Sequence, residues 1–269
     1  MGPGLGGRLP TRVTPSWRLC SLRRRSPTAR LLRRDKDYAA EAEYVARLIR
    51  SSVPTARTIL ELGSGTGRHG HLLAAMGFDV HGIERSADMV AYANAGPRPS
   101  PGRFTCEAGD ACGANLGRSF DAVISLFHVV SYQASDQALQ AVFEVAAAHL
   151  RPSGVFLFDV WHGPAVVSQG PSDRVKEIAD DRHRVRRTCR PQLDSKRNTV
   201  KVVYEFECED RHSGQTIRFN EEHVMRYLFP DELNLIARRC GLRQLSSEEF
   251  FTGRPPSPST WSALYLFQN

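Results

Sequence analysis

Residues 59–72 read ILELGSGTGRHGHL: an aliphatic run containing an acid at Glu61, then glycines at alternate positions 63, 65 and 67. A chain gives up side chains at that density where its backbone turns sharply or must approach a ligand closely. Two chemistries fit. Gly65, Gly67 and Gly70 match the spacing G-x-G-x-x-G, which cradles a dinucleotide pyrophosphate at a helix N-terminus. In that register the first glycine should end the strand, whereas here Gly63 does so. The other frame, ELGSGTG, places a carboxylate two residues before the first of three alternate glycines. It suits a ligand carrying positive charge and an amine. Further candidates are Glu84, 17 residues past Gly67, then Asp110, His128, Tyr132 and Asp159.

The elements that position these residues follow from periodicity. DKDYAAEAEYVARLIRSSV sets Tyr38, Ala42, Val45, Ala46 and Ile49 at helical spacing and stops before Pro54. RTILEL reads as a buried strand entering the glycine loop, and RHGHLLAAM as the helix leaving it, closed by Gly77. FDVHGIE, RFTCEAGDA, FDAVISLFHVVSY and GVFLFDVW read as the second to fifth strands. A helix in SADMVAYANA takes Ser86 as its N-cap, and SDQALQAVFEVAAAHL is a long amphipathic helix. This alternation predicts an α/β, Rossmann-like, mostly parallel, doubly wound sheet. Such sheets bind ligands beyond the carboxyl ends of their strands, where strand order reverses. Glu61 to Gly67, Glu84, Asp110, His128 and Asp159 all fall at such ends.

After Trp161 the pattern changes. TVKVVYEFECE alternates, with Val200, Val202, Tyr204, Phe206 and Cys208 on one face, and RHRVRRTCRP and TIRFNEEHVMRYLF carry similar period-two patches. Three such segments predict an antiparallel sheet with one dry face. PDELNLIARRCG then reads as a helix with Pro230 in its first turn, and STWSALYLFQ as a closing strand. The expected organisation is an extension over 1–34, a cofactor-binding domain over 35–164, an antiparallel insertion over 165–229, and the last helix and closing strands over 230–269.

ELGSGTG resembles motif I of the class I S-adenosylmethionine (AdoMet) methyltransferases. Glu84 at the end of the second strand, GDA at 109–111 and LRPSGVFLFD at 150–159 match later landmarks of that family. The resemblance covers residues 36–165 and implies AdoMet as cofactor. It implies that Glu61, Gly63, Ser64, Gly65 and Gly67 form the loop, and that Glu84 takes the ribose hydroxyls. Asp110 and the Ala111 amide would cap the adenine, with Arg85, Met89 and Leu126 completing the pocket.

SLFHVVSYQ, where the acceptor would meet the methyl group, lacks the Asn/Asp-Pro-Pro-aromatic element of enzymes acting on nucleobase amines. It is similar instead to bacterial sugar N-methyltransferases acting on nucleotide-linked amino sugars, and to glycine N-methyltransferases. In those enzymes an antiparallel insertion covers the substrate. An amine or hydroxyl acceptor must lose a proton, so His128 and Tyr132 are the candidate bases. His128 equally fits a lining of the adenosine pocket. Trp161, His162, His223, Arg226 and Tyr227 are candidate substrate contacts, Arg226 for a phosphate. The reading is a small-molecule methyltransferase of a bacterial cytoplasm, N- or O-directed. A noncatalytic AdoMet-binding regulator and an NAD-binding reductase are the alternatives. The relatives are often dimers, so a homodimer is a further expectation. His69 and His71 would face different ways on a helix, and no metal is expected.

Composition narrows the partners. The net charge of +7 is misleading, because residues 1–34 hold nine arginines and no acid. The remainder has 27 basic against 29 acidic residues, so no global nucleic-acid footprint is expected. The Arg-rich segment reads as a disordered extension or upstream start, with a transit peptide or nucleic-acid arm as alternatives. In that family a Tyr-rich lid precedes the first helix, where this chain has TARLLRR. Six scattered cysteines without C-x-x-C suit a reducing compartment. No run approaches the ~20 apolar residues of a membrane span.

Overall fold

In a computed structural model of the chain, residues 36–98 and 100–269 are described. The readings of segment 1–34 and of TARLLRR lie outside the described residues.

Helix α1 (Tyr38–Ser52) is capped by Asp37, whose side chain accepts the Ala40 N–H at 2.9 Å. Strand β1 (Thr58–Leu62) then enters the glycine loop, and α2 (Arg68–Ala75) leaves it. β2 (Asp79–Glu84), α3 (Ala87–Asn94), β3 (Arg103–Ala108), β4 (Phe120–Ser125), α4 (Asp136–Ala148) and β5 (Leu150–His162) complete the alternation. Ser86 and Ser135 cap α3 and α4. The order β3-β2-β1-β4-β5 is parallel, and it reverses between β1 and β4, beside the glycine loop. Beyond β5 lies antiparallel β11 (Ser262–Gln268), followed by β10 (Arg243–Glu249).

Both faces of this sheet are dry, which explains why its strands read as continuous apolar runs. Leu60 and Leu62 of β1, Phe156 and Phe158 of β5, and Tyr265 and Phe267 of β11 point to one side. There they pack with Val142 and Phe143 of α4 and with Leu233 and Ile236 of α6 (Pro230–Arg239). Their neighbours Ile59, Leu157 and Leu264 point the other way, onto Val45 and Ile49 of α1 and Leu73 of α2.

After α5 (Gly163–Gln169) come β6 (Arg174–Ala179), β7 (His183–Asp194), β8 (Thr199–Asp210) and β9 (Thr216–Leu228), an antiparallel meander. Three such strands were expected, and β6 is the fourth. Its short alternation is weak because it is a mostly exposed edge. β9 joins the main sheet through two pairs, Trp161 with Tyr227 and His162 with Leu228.

One expected strand needs correction. The fourth stops at Ser125 and not at Tyr132. Phe127 and His128 both adopt left-handed φ (67° and 61°), and Val130–Tyr132 is a single 3₁₀ turn. The apolar residues of LFHVVSY imitate a strand, but the Asp159 carboxylate draws in the His128 N–H, with both oxygens at 3.2 Å, and the chain turns. Among the described residues, no helix is long and apolar enough to cross a membrane.

Candidate active site

The loop after β1 is tied to the end of β2. Gly63 and Ser64 N–H both donate to the Ile83 carbonyl, at 2.9 and 3.0 Å. Gly63 and Gly67 take φ of 77° and 73°, and a Cβ on either would meet Val129 or Phe104 at 2.6 Å. Conformation and space therefore both demand glycine there. Glu84 Oε2 accepts the Gly65 N–H and Oε1 accepts the Ser86 N–H, each at 2.9 Å. A carboxylate fixed in this way retains lone pairs for a vicinal diol. Glu61 is 2% exposed, with Ser64 Oγ donating to it at 2.5 Å. Burial pushes its carboxyl above the ordinary range, against the opposing pull of His69 and Ser64. A ligand ammonium beside it would restore the charged form, so this donor set fits AdoMet.

Of the remaining pocket candidates, Met89 is half-buried on α3, and Leu126 and Ala111 are buried. Asp110 Oδ1 accepts the Cys112 N–H at 2.9 Å, and its Oδ2 lies 3.6 Å from exposed Arg85. His69 turns to Glu41 (2.9 Å), whereas His71 turns to the Ala93 carbonyl (2.8 Å).

On the acceptor side, two consecutive non-glycine residues in left-handed conformation mark strain of the kind held at functional sites. Asp159, 2% exposed, holds that turn through the His128 N–H. The His128 ring Nε2 is 3.2 Å from Asp159 Oδ2 and 3.1 Å from Ser262 Oγ. Both contacts fall on the same nitrogen, so this trio is not the relay of a nucleophilic serine, which needs opposite ring nitrogens. Trp161 packs edge-on to His128 with centroids 6.5 Å apart, and its backbone N–H is held by Ser131 Oγ. Tyr132 is 46% exposed, and its hydroxyl is 3.1 Å from His223 Nδ1 of β9.

Three expected substrate contacts are placed elsewhere. Arg226 lies on the face of β9 opposite His223. Only 7% exposed, it pairs with Glu232 of α6 and with Asp136 at 2.7 Å. Strand alternation alone dictates this, since positions 223 and 226 differ by an odd number. Tyr227 is 1% exposed among Val166, Val200, Val202 and Met225. His162 is buried, with Nδ1 at 3.2 Å from the Thr260 carbonyl, and burial lowers its pKa.

Sequence reasoning missed Glu221, Ser262 and Arg187. Arg187 of β7 shares a sheet face with Tyr204, Glu221 and His223. Its guanidinium carbon is 5.1 Å from the Tyr204 ring centroid, and its buried Nε has no hydrogen-bond partner among the described residues. The signal was present in RHRVRRTCRP, where Arg187 has the parity of Val185 and Cys189, the inward-facing positions.

The fold and this loop are those of methyltransferases. A methyltransferase domain family matches residues 59–154. The dTDP-3-amino-3,4,6-trideoxy-alpha-D-glucopyranose N,N-dimethyltransferase of Streptomyces venezuelae is 32% identical over 228 residues, covering 83% of this chain and 90% of that protein. The dTDP-3-amino-3,6-dideoxy-alpha-D-glucopyranose N,N-dimethyltransferase of Streptomyces fradiae is 37% identical over 135 residues, 50% of this chain and 51% of its own length. Among solved structures, Streptomyces venezuelae DesVI superimposes with TM-score 0.74 at 29% identity, covering 88% of this chain and 93% of that one. A Clostridium acetobutylicum S-adenosylmethionine-dependent methyltransferase gives 0.75 at 21% identity, covering 93% and 97%. The chain belongs to the class I AdoMet-dependent methyltransferases, the family of these sugar N,N-dimethyltransferases. It is an enzyme that takes its methyl group from AdoMet, which sets aside the dinucleotide and noncatalytic readings.

Proposed function

We propose that the enzyme N-methylates a nucleotide-linked amino sugar. One observation carries this reading: the 32% identity to the Streptomyces venezuelae enzyme runs over 228 residues, too many for the cofactor-binding half alone, so it takes in substrate-covering strands. When bound, AdoMet supplies an electrophilic methyl group on a sulfonium. The chain's own task is to hold that group and align the acceptor's lone pair behind it. Glu61 would hold the cofactor's ammonium, Glu84 its diol, and Asp110 with the Ala111 amide its adenine, with Met89 and Leu126 as apolar walls. Arg85 tethers Asp110 at the rim.

On the acceptor side Tyr132 is the better placed of the two candidate bases, since the residue is 46% exposed and its hydroxyl meets the imidazole of His223, while His128 Nε2 is engaged by Asp159 and Ser262. His128 supports the strained turn and, with Trp161, walls the pocket. Arg187, on the inner face of the cover, is the cation for the acceptor's diphosphate in place of Arg226. We further propose a cytoplasmic homodimer that does not act on nucleic acid.

The test is incubation with AdoMet and dTDP-3-amino-3,6-dideoxyglucose, read by mass spectrometry. One or two added methyl groups on nitrogen, with S-adenosylhomocysteine formed in proportion, is the expected result. Methylation of a sugar hydroxyl, or none in a protein that binds S-adenosylhomocysteine, would overturn the assignment.

A further inference from the structure

His223 is carried by the covering sheet, yet it is hydrogen-bonded to the 3₁₀ turn of the cofactor-binding half. Tyr132 Oη lies 3.1 Å from His223 Nδ1, and His223 Nε2 lies 3.4 Å from Glu221 Oε2, two residues away on the same face of β9. Both side chains are largely enclosed, His223 at 21% and Glu221 at 12% exposed. The Tyr204 ring stands edge-on to the imidazole at 5.5 Å, and the Tyr132 ring at 5.8 Å, so the imidazole plane is fixed from two sides. Here, unlike at His128, the two contacts fall on opposite ring nitrogens, the requirement for passing a proton through an imidazole.

From this geometry we infer that Glu221, His223 and Tyr132 form a proton relay that deprotonates the acceptor nitrogen. His223 and Glu221 act through Tyr132 as positioning residues. An amine gaining a methyl group must shed one proton for each N–C bond formed. As the methyl C–S bond breaks and the N–C bond forms, the nitrogen's proton passes to Tyr132 Oη. The phenolic proton moves to His223 Nδ1, and the Glu221 carboxylate balances the imidazolium through Nε2–H. Release of that proton to solvent resets the relay. A phenol alone is a weak base near neutrality, and the imidazole behind it overcomes this. The other ionisable groups facing His223 are Tyr204 on β8, Cys189 paired to Tyr204 across β7, and Arg187 over the Tyr204 ring. Burial raises both the Tyr204 and Cys189 pKa values, so neither competes as an acceptor. Lys201 and Glu222 pair on the opposite face.

The relay rests on the acceptor being an amine, so the test has one arm without an acceptor and one with it. In the full-length protein without acceptor, the His223 imidazole is titrated by NMR in the parent, Glu221→Gln and Tyr132→Phe. A lower midpoint in Glu221→Gln and altered Nδ1 shifts in Tyr132→Phe are expected. Unchanged spectra in both would overturn the relay whatever the substrate. With dTDP-3-amino-3,6-dideoxyglucose, His223→Gln should lower kcat by about 10²-fold with KM within about threefold, and should abolish the acid limb of kcat/KM. Binding of S-adenosylhomocysteine reports that each variant is folded. A raised KM with the acid limb intact would make His223 a substrate contact and overturn the relay. A parent enzyme that binds S-adenosylhomocysteine but does not methylate this sugar defeats the acceptor assignment and leaves the NMR arm to judge the relay.

Discussion

Arg187 keeps a buried Nε without a hydrogen-bond partner among the described residues, on the face that looks toward Tyr132 and His223. Arg226, two strands over on the opposite face of the sheet, spends its charge on Glu232 and Asp136. The two should therefore respond oppositely to truncation. Arg187→Ala should raise KM for a nucleotide sugar about 10- to 100-fold, the worth of one charge-assisted hydrogen bond, with little change in Tm or kcat. Arg226→Ala should leave KM nearly unchanged and lower Tm by roughly 3–10 °C, because it strands Glu232 beside the α6 N-terminus. Steady-state kinetics and thermal melts on both variants decide the matter. Reversed outcomes would return the phosphate contact to Arg226.

Among the elements, β1 and β4 are clamped at their entrances by a single carboxylate. Asp121 Oδ2 accepts the Arg57 and Thr58 N–H groups and the Thr58 hydroxyl at 2.8–2.9 Å, while Arg151 bonds Oδ1 at 2.6 Å. Burial alone would raise this carboxyl, but those hydrogen bonds outweigh it and its pKa is lowered. A carboxylate with a depressed folded pKa stabilises fully above its unfolded value of ~3.9, and that contribution drains away as pH falls through the folded value. Asp121→Asn should thus melt below the parent at pH 7, with the gap closing below about pH 4. A gap independent of pH would mean the clamp works by shape alone. Elements of this kind also show what could be read in advance. The glycine loop and the strand-end acids were legible because their signal is local spacing. The Phe127–His128 turn was not, because the carboxylate that forces it is Asp159, 31 residues further on. Edge strands β6 and β10 bury little, so their alternation is faint.

For the whole molecule, cofactor binding and folding are linked if the proposed cradle holds, since it draws on β1, β2, β3 and β4 together. At a hundredfold excess over Kd, S-adenosylhomocysteine should stabilise the protein by about 2.7 kcal/mol, or roughly 5–10 °C in Tm. NADH at the same concentration should give no shift. Asp110→Ala should shrink the S-adenosylhomocysteine shift at fixed ligand concentration. A full-sized shift there would remove Asp110 from the adenine site.

The sheet also constrains how the chain can be made. β5 is bordered on one side by β4 and on the other by β11, which arrives only with Ser262–Gln268. During synthesis the aromatic-rich strand around Phe156 and Phe158 must wait, unpaired along one edge, while roughly 100 further residues emerge, a delay of about 5–20 s at ordinary translation rates. Over that interval an exposed strand edge invites pairing with another chain. The antiparallel meander is translated during the same wait, and β9 reaches β5 only at Trp161 and His162, too short a contact to shield it. Yield of native enzyme in a cell should therefore depend on chaperone supply more than the finished molecule's stability suggests, and deleting residues 262–269 should make the chain aggregate.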